Sequence, residues 1–249
     1  MFEPVKPAPT AVDICEQKIR DGILTGHLAQ GEFLPSERVL AERFQLNRLT
    51  VRSALARLTA AGLLSVRQGS GYRVNDYRLH GSGDLLGHLR SQLTTRRQEN
   101  EFVQTLLQIR RGLYQAVLEV LLDIDEETRR TVCRQIDDLI DALTDASNCR
   151  EYAERELHGI REMLCTIDHI PLLLTLNPVL KTLHEETRIW ALNYANAKRK
   201  ADGYRIFKYW LEQKDKDALV PLIGELKRFD VWTLRQLESK QFDGQLKVI

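Results

Sequence analysis

Residues Leu34 to Val74 read LPSERVLAERFQLNRLTVRSALARLTAAGLLSVRQGSGYRV, and the reading of this stretch decides the fold. Ser36 is a strong helix N-cap, followed on the first turn by Glu37 and Arg38. Val39, Leu40 and Phe44 then give a short helix one apolar face. Gln45-Leu46-Asn47 makes a turn. From Arg48 to about Ala61, Val51, Ala54, Leu55 and Leu58 repeat at the i, i+3, i+4, i+7 spacing of a second helix with one buried face. Gly62 suits its C-terminal cap. The period then changes to alternation. Leu64 and Val66 are offset from Ser65 and Arg67, Gln68-Gly69-Ser70-Gly71 turns the chain, and Tyr72-Arg73-Val74 returns as a partner strand.

Two helices joined by a tight turn and followed by a glycine-tipped ribbon make a winged helix-turn-helix. The second helix of such a unit enters a DNA major groove, and the ribbon reaches the adjacent groove or backbone. Charge agrees with this. Between Gly31 and Asn75 there are seven arginines (38, 43, 48, 52, 57, 67 and 73) against three glutamates, whereas the whole chain carries a formal charge of +1. Every one of these cations is arginine, the side chain suited to bidentate phosphate and guanine contacts.

The runs P-S-E-R, N-R-L-T-V-R, L-A-R-L-x-x-x-G-L-L and R-Q-G-S-G-Y-R-V resemble the DNA-binding domain of the GntR family of bacterial transcription regulators over roughly Val12 to Asp76. The resemblance implies DNA contacts from Arg38, Asn47, Arg48, Thr50, Arg52, Gln68 and Gly69. Two positions depart from the family pattern. Leu49 stands where relatives often have Thr, and Ser70 replaces a basic wing-tip residue found in some.

The rest of the chain has a different character. Its 249 residues suit two domains, and a composition of 43% hydrophobic and 29% charged residues suits a globular protein. No uninterrupted apolar run reaches a membrane-spanning length, and Met1-Phe2-Glu3-Pro4 lacks the features of a signal peptide, so a cytoplasmic protein is expected. Cys15, Cys133, Cys149 and Cys165 are spaced too widely for a structural zinc site and read as reduced thiols. Pro4, Pro7 and Pro9 mark a poorly ordered start. Thr10 or Asp13 caps a first helix ending near Gly26, with Ile14, Ile19 and Leu24 packed under the helix-turn-helix.

The expected architecture is mainly α. A winged helix-turn-helix occupies 1–76, a linker 77–83, and a bundle of six or seven antiparallel helices 84–249. Apolar repeats mark helices at 84–96, 99–122, from Asp125, and at about 149–168. Pro171 reads as a break, with further helices from Asn177 to Lys198, from Asp202, and from near Asp215 to Glu238, where Pro221 lies close to a helix start.

In this half S-G-D-L-L-G-H-L (82–89), L-L-Q-I-R-R-G-L (106–113), G-Y-R (203–205) and F-D-V-W (229–232) resemble the fatty-acid-responsive branch of the FadR subfamily. That implies a homodimer on a double-stranded operator, with long-chain fatty acyl-CoA or another small anionic effector in the bundle. Arg110, Tyr114, Arg188, Trp190, Tyr194, Tyr204, Arg228 and Trp232 are the candidate effector-binding residues.

A second branch of the subfamily holds a metal with one Asp and three His and responds to carboxylates. Glu154 and His158, at i, i+4, are the candidate ligands here. Tyr204 and the neighbourhood of Leu226 stand where the remaining histidines would be, so no metal or other cofactor is expected. A ligand-free DNA-binding protein is the third reading. There is no phosphate-cradling glycine loop, no G-x-S-x-G and no nucleophile beside a base, so no enzyme is expected.

Overall fold

The computed structural model describes residues 8–215 and 217–239. The proline-rich start before residue 8, expected to be poorly ordered, lies outside the described residues. The chain divides into two compact units, Met1–Gln92 and Leu93–Ile249.

The first unit opens with α1 (Ala11–Leu24). Thr10 and Asp13 cap it reciprocally: the Thr10 hydroxyl accepts from the Asp13 N–H at 3.2 Å, and the Asp13 carboxylate accepts from the Thr10 N–H at 2.8 Å. Both capping candidates therefore act together. Cys15, Ile19 and Ile23 are the buried face of α1, while Ile14, expected to be packed, is largely exposed. At 3.6 residues per turn Ile14 falls off the stripe set by 15, 19 and 23.

Helices α2 (Glu37–Phe44) and α3 (Arg48–Ala60) follow; Ser36 caps the first as the sequence indicates, and Asn47, the end of the expected turn, caps the second. Gln45 takes the left-handed conformation that ends α2, at φ 56°. Val51, Ala54, Leu55 and Leu58 are fully buried against α1 and α2. Strands β1 (Leu64–Arg67) and β2 (Gly71–Val74) pair antiparallel, with Leu64 opposite Val74 and Arg67 opposite Gly71. The tip is possible because Gly69 and Gly71 take φ of 77° and 90°.

The unit does not end at the hairpin. Residues 77–83, expected to be a linker, contain the short helix α4 (Tyr77–His80), and α5 (Leu85–Ser91) belongs to this unit rather than to the bundle. Three contacts explain the difference. The Asn75 side chain donates to the Gly62 carbonyl at 3.0 Å, Leu85 is buried in the first core, and Gln92 donates to Asp21 at 3.1 Å. Arg20, itself buried, meets Glu16 and the His88 ring. Gly62 is the pivot of this docking. It sits at φ +77°, and a Cβ there would lie 1.8 Å from the His80 carbonyl oxygen.

The second unit is a bundle of α6 (Arg96–Asp123), α7 (Glu126–Thr144), α8 (Cys149–Thr166), α9 (Ile170–His184), α10 (Thr187–Ala195), α11 (Ala197–Gln213) and α12 (Leu219–Glu238). Helix α7 packs on α8 and α11, α6 packs on α9 and α12, and α8 also meets α9 and α10. Neither the expected break at Pro171 nor the expected helix start at Asn177 is found. Pro171 lies in the first turn of α9, where no N–H is needed, and Pro178 sits inside the same helix. The expected helix from Asn177 to Lys198 is instead divided at Glu185–Glu186, and α11 begins before Asp202, at Ala197. Among the described residues no helix is long and apolar enough to cross a membrane, and all four cysteines are free thiols.

Two measurements test this account. Gly62→Ala is expected to destabilise the full chain by more than about 2 kcal/mol in denaturant titration. Gly69→Ala, which adds a Cβ into open space, is expected to cost clearly less. The second concerns Asp13, whose carboxyl is held down at about 2, from 3.8, chiefly by its hydrogen bonds with Thr10 and also by Arg57. A depressed carboxyl contributes stability that is present above its ordinary pKa and lost as pH falls through the folded value. Asp13→Asn is therefore expected to lower the melting temperature at neutral pH, with the deficit closing as pH falls from 3.8 towards about 2.

Candidate nucleic-acid interface and bundle cavity

The outward face of α3 carries Arg48, Leu49, Arg52 and Ala56, while its other face forms the core. Leu49 is 73% exposed, unusual for a large apolar side chain. Asn47 is committed to capping: its Oδ1 accepts from the Thr50 N–H at 2.7 Å, which fixes where the first turn of α3 presents its side chains.

The arginines divide by partner. Arg57 turns back to α1 and donates to Asp13 at 2.8 Å and Glu16 at 3.3 Å, so it braces the unit internally. Arg38 pairs with Glu42 along α2 at 2.9 Å, with both side chains mostly exposed. Arg52 donates through Nε and a terminal nitrogen to both oxygens of Glu37, at 3.1 and 2.8 Å. The Tyr72 hydroxyl reaches the same carboxylate at 3.5 Å. Arg52 holds the Glu37 carboxyl below the usual carboxylate range, and the Glu37 pair in turn raises the Arg52 guanidinium. Glu37 thus joins the start of α2, the exposed face of α3 and the returning wing strand. The sequence reading noted Glu37 only as a first-turn acid and missed this role. Gln68 and Gly69 stand at the exposed wing tip.

The bundle encloses a cavity of about 420 Å³, within the range of small-molecule sites. Its walls are mostly apolar, drawn from α6 to α12, with Leu118, Leu121, Val132, Leu164 and Leu180 among them. Of the eight effector candidates, Arg110, Tyr114, Trp190 and Tyr204 line it. The other four do not, and each is occupied elsewhere. Arg188 pairs with Glu186 at 2.7 Å and with Glu99 at 3.5 Å. The Tyr194 hydroxyl donates to the Ser147 carbonyl at 3.2 Å. Arg228 is on the surface with Glu225. Trp232 packs on Phe229 at 5.6 Å between ring centroids and beneath Arg199.

The cavity's own charges are largely matched. Arg110 donates to buried Asp230 at 2.6 Å, and Arg111 pairs with the other oxygen of the same carboxylate. Two stretches singled out in the sequence, 106–113 and 229–232, meet in this clamp. Lys200 is paired with Glu156, which also accepts from the Tyr204 hydroxyl at 3.0 Å. Burial pulls the Lys200 ammonium down and pushes the Tyr204 phenol well up; it also raises Tyr114 to about 12. Arg199, over the rings of Phe229 and Trp232 at 5.8 Å each, is a further cation on the lining.

Glu156, Lys200, Asn193, His184, Arg199 and Phe229 line the cavity and were missed in the sequence. One signal was available: Lys200 and Tyr204 share a helical stripe with Phe207 and Leu211, so a charge interrupts an apolar face.

The metal candidates do not converge. Glu154 pairs with Arg150 at 2.9 Å, and His158, 78% exposed, lies 3.8 Å from Glu162. Tyr204 is bound to Glu156 and Leu226 offers no donor. The residues present do not fit the one-Asp, three-His set, and among the described residues no group of three or more His, Cys, Asp or Glu is placed to hold an ion.

Residues 13–74 match the family described as "Bacterial regulatory proteins, gntR family". The chain is 47% identical over 88 residues to the HTH-type transcriptional regulator Mce2R of Mycobacterium tuberculosis, covering 35% of this chain and 36% of that protein. It is 26% identical over 163 residues to the fatty acid metabolism regulator protein of Vibrio parahaemolyticus, covering 62% of this chain and 57% of that one. The chain thus spans about a third of the length of the mycobacterial relative and a little over half of the Vibrio one. The Vibrio match is longer than the first unit and therefore reaches into the bundle. Among solved structures, Streptococcus agalactiae GntR aligns over 87% of this chain and 99% of its own, at 20% identity and a TM-score of 0.45.

The buried Glu156–Lys200 pair has its own test. Glu156→Gln strands an ammonium in an apolar wall and is expected to cost roughly 3 kcal/mol in denaturant titration. Adding Lys200→Met to that variant is expected to restore most of the loss. Equal instability of the single and double variants would mean the pair is not what holds these helices together.

Proposed function

We propose that this chain, whose residues 13–74 form a GntR-family domain, is a sequence-specific DNA-binding transcription regulator whose bundle cavity takes an apolar effector. The observation that carries the first part is the exposed face of α3. It presents Arg48 and Arg52 beside a glycine-tipped wing and is fixed by the Asn47 cap and the Glu37 bridge. Such a helix inserts in the major groove, where arginine reads guanine in bidentate fashion. Asn47 and Thr50 set the register of its first turn, Arg38 with Gln68 and Gly69 approaches the flanking backbone, and Leu49 offers an apolar surface to a thymine methyl. A homodimer on a two-fold operator places one α3 in each half-site, in the cytoplasm where the DNA is.

The effector reading rests on the cavity's apolar lining and on the name of the Vibrio relatives. A long acyl chain, as in an acyl-CoA, is the class such walls accept, since each buried methylene contributes roughly 0.8 kcal/mol. Arg110 and Lys200 already carry carboxylates, so Arg199 is the cation left for an anionic head. Because binding at one site that alters affinity at another is reciprocal, occupancy of the cavity and of the operator are coupled. The metal-dependent alternative is not favoured, because its donor set is incomplete.

Arg48→Ala is expected to weaken operator binding by about 1–3 kcal/mol and relax preference at one base position, with the fold unchanged by circular dichroism. Unaltered operator affinity in the folded variant would remove Arg48 from the interface. Acyl-CoA of increasing chain length is expected to raise the melting temperature progressively; no shift at any length would sink the effector reading.

A further inference from the structure

Among the described residues, three side-chain polar atoms of the cavity lining have no hydrogen-bond partner; one is the Nε of Arg110, whose guanidinium is already held by Asp230. The indole N–H of Trp190 and the carboxamide oxygen of Asn193 are buried without a hydrogen bond. Both residues line the cavity. They stand at i and i+3 on α10, one turn apart on one face. Asn193 is only 7% exposed, so its orphan oxygen is not a surface group waiting for bulk water. His184, whose ring lies 4.9 Å from that of Trp190, lines the same wall. Burial holds its pKa down and favours the neutral imidazole.

An unpaired donor one helical turn from an unpaired acceptor is a poor wall for a plain hydrocarbon. An alkyl chain seated there displaces any water that would satisfy them and leaves both groups stranded in a low dielectric. A hydroxyl matches the pair: its oxygen accepts from the indole while its hydrogen is donated to the carboxamide. The match survives rotation of the Asn193 amide, since a hydroxyl also accepts from an N–H₂ group.

We propose that the effector of this cavity is an aliphatic chain bearing a hydroxyl, which Trp190 and Asn193 recognise together. This rests on the reading of the cavity as an acyl-chain site and narrows it. The pair selects one oxygenated position along the chain and leaves the rest of the apolar wall to chain length.

Titration of the full-length protein with hexadecanoic acid and with a set of its mono-hydroxy positional isomers tests this, with tryptophan fluorescence or calorimetry as the readout. At least one isomer is expected to bind about tenfold more tightly than the plain acid. Asn193→Leu with Trp190→Phe, read by calorimetry, is expected to erase that preference, with an unchanged circular dichroism spectrum and melting transition reporting that the bundle is still folded. Should the double variant fail to fold, Trp190→Phe alone is expected to remove part of the preference. If the plain acid binds as tightly as every isomer, or if the preference survives in a folded variant, the hydroxyl assignment is wrong while the acyl-chain reading stands. If neither the plain acid nor any isomer binds, both are overturned.

Discussion

The carboxylate of Glu37 is the constraint on which the α3-and-wing face of the first unit depends. It accepts two nitrogens of Arg52 and approaches the Tyr72 hydroxyl. Each bond alone is modest, since Arg52 is mostly solvent-exposed. Their joint effect is geometric. One group fixes the spacing between α2, α3 and β2 at the face that the wing shares with α3. Arg52 is thereby held in one orientation before any phosphate or base arrives, which lowers the ordering cost of a later contact. The caps do the same for the backbone: Asn47 aims the first turn of α3, and Gly62 lets the chain after the wing close over its end.

The bundle solves a different problem. A long apolar cavity weakens a fold, because the side chains around it lack packing partners. Here the helices around the cavity are joined by buried ion pairs. Arg110 and Arg111 on α6 share Asp230 on α12, and Glu156 on α8 takes both Lys200 and Tyr204 on α11. Taking these charges out of water is costly, and pairing offsets it only while both members are present. The arrangement gives the cavity defined walls without filling it.

The first unit was legible in the sequence almost residue by residue. Its signals are local: a cap at Ser36, a period of 3.6 that gives way to 2 at Leu64, and glycines at the wing tip. Its far boundary was not legible, because Leu85 joins the first unit's core and His88 meets Arg20, 68 residues earlier in the chain. In the bundle, the helical stripes mark the spans of α6, α7, α8 and α12 closely, but they merge part of α9 with α10 and assign α5 to the wrong unit. Pro171 reads as a break and Asn177 as a helix start, although the first turn of α9 tolerates Pro171 and the same helix runs on through Pro178. The cavity was half legible. Aromatic residues at helical spacing were visible, but Arg188, Arg228 and Arg110 all appeared as unclaimed cations, since the acids that claim Arg110 and part of Arg188 lie far along the chain. Asn193 gave no signal at all, because one amide on an apolar helix face is unremarkable until its surroundings are known.

The matched charges of the cavity have a consequence for how the protein meets its surroundings. The arginines on α3 and the wing face solvent, where dissolved ions screen them over roughly 8 Å at physiological ionic strength. A contact with a polyanion there weakens steeply as salt rises, through release of condensed counterions. Arg110 and Lys200 are buried against their own carboxylates, and mobile ions do not reach them. Changes in ionic strength therefore act on the arginine face of the first unit and leave the buried Arg110–Asp230 and Lys200–Glu156 pairs of the bundle almost untouched.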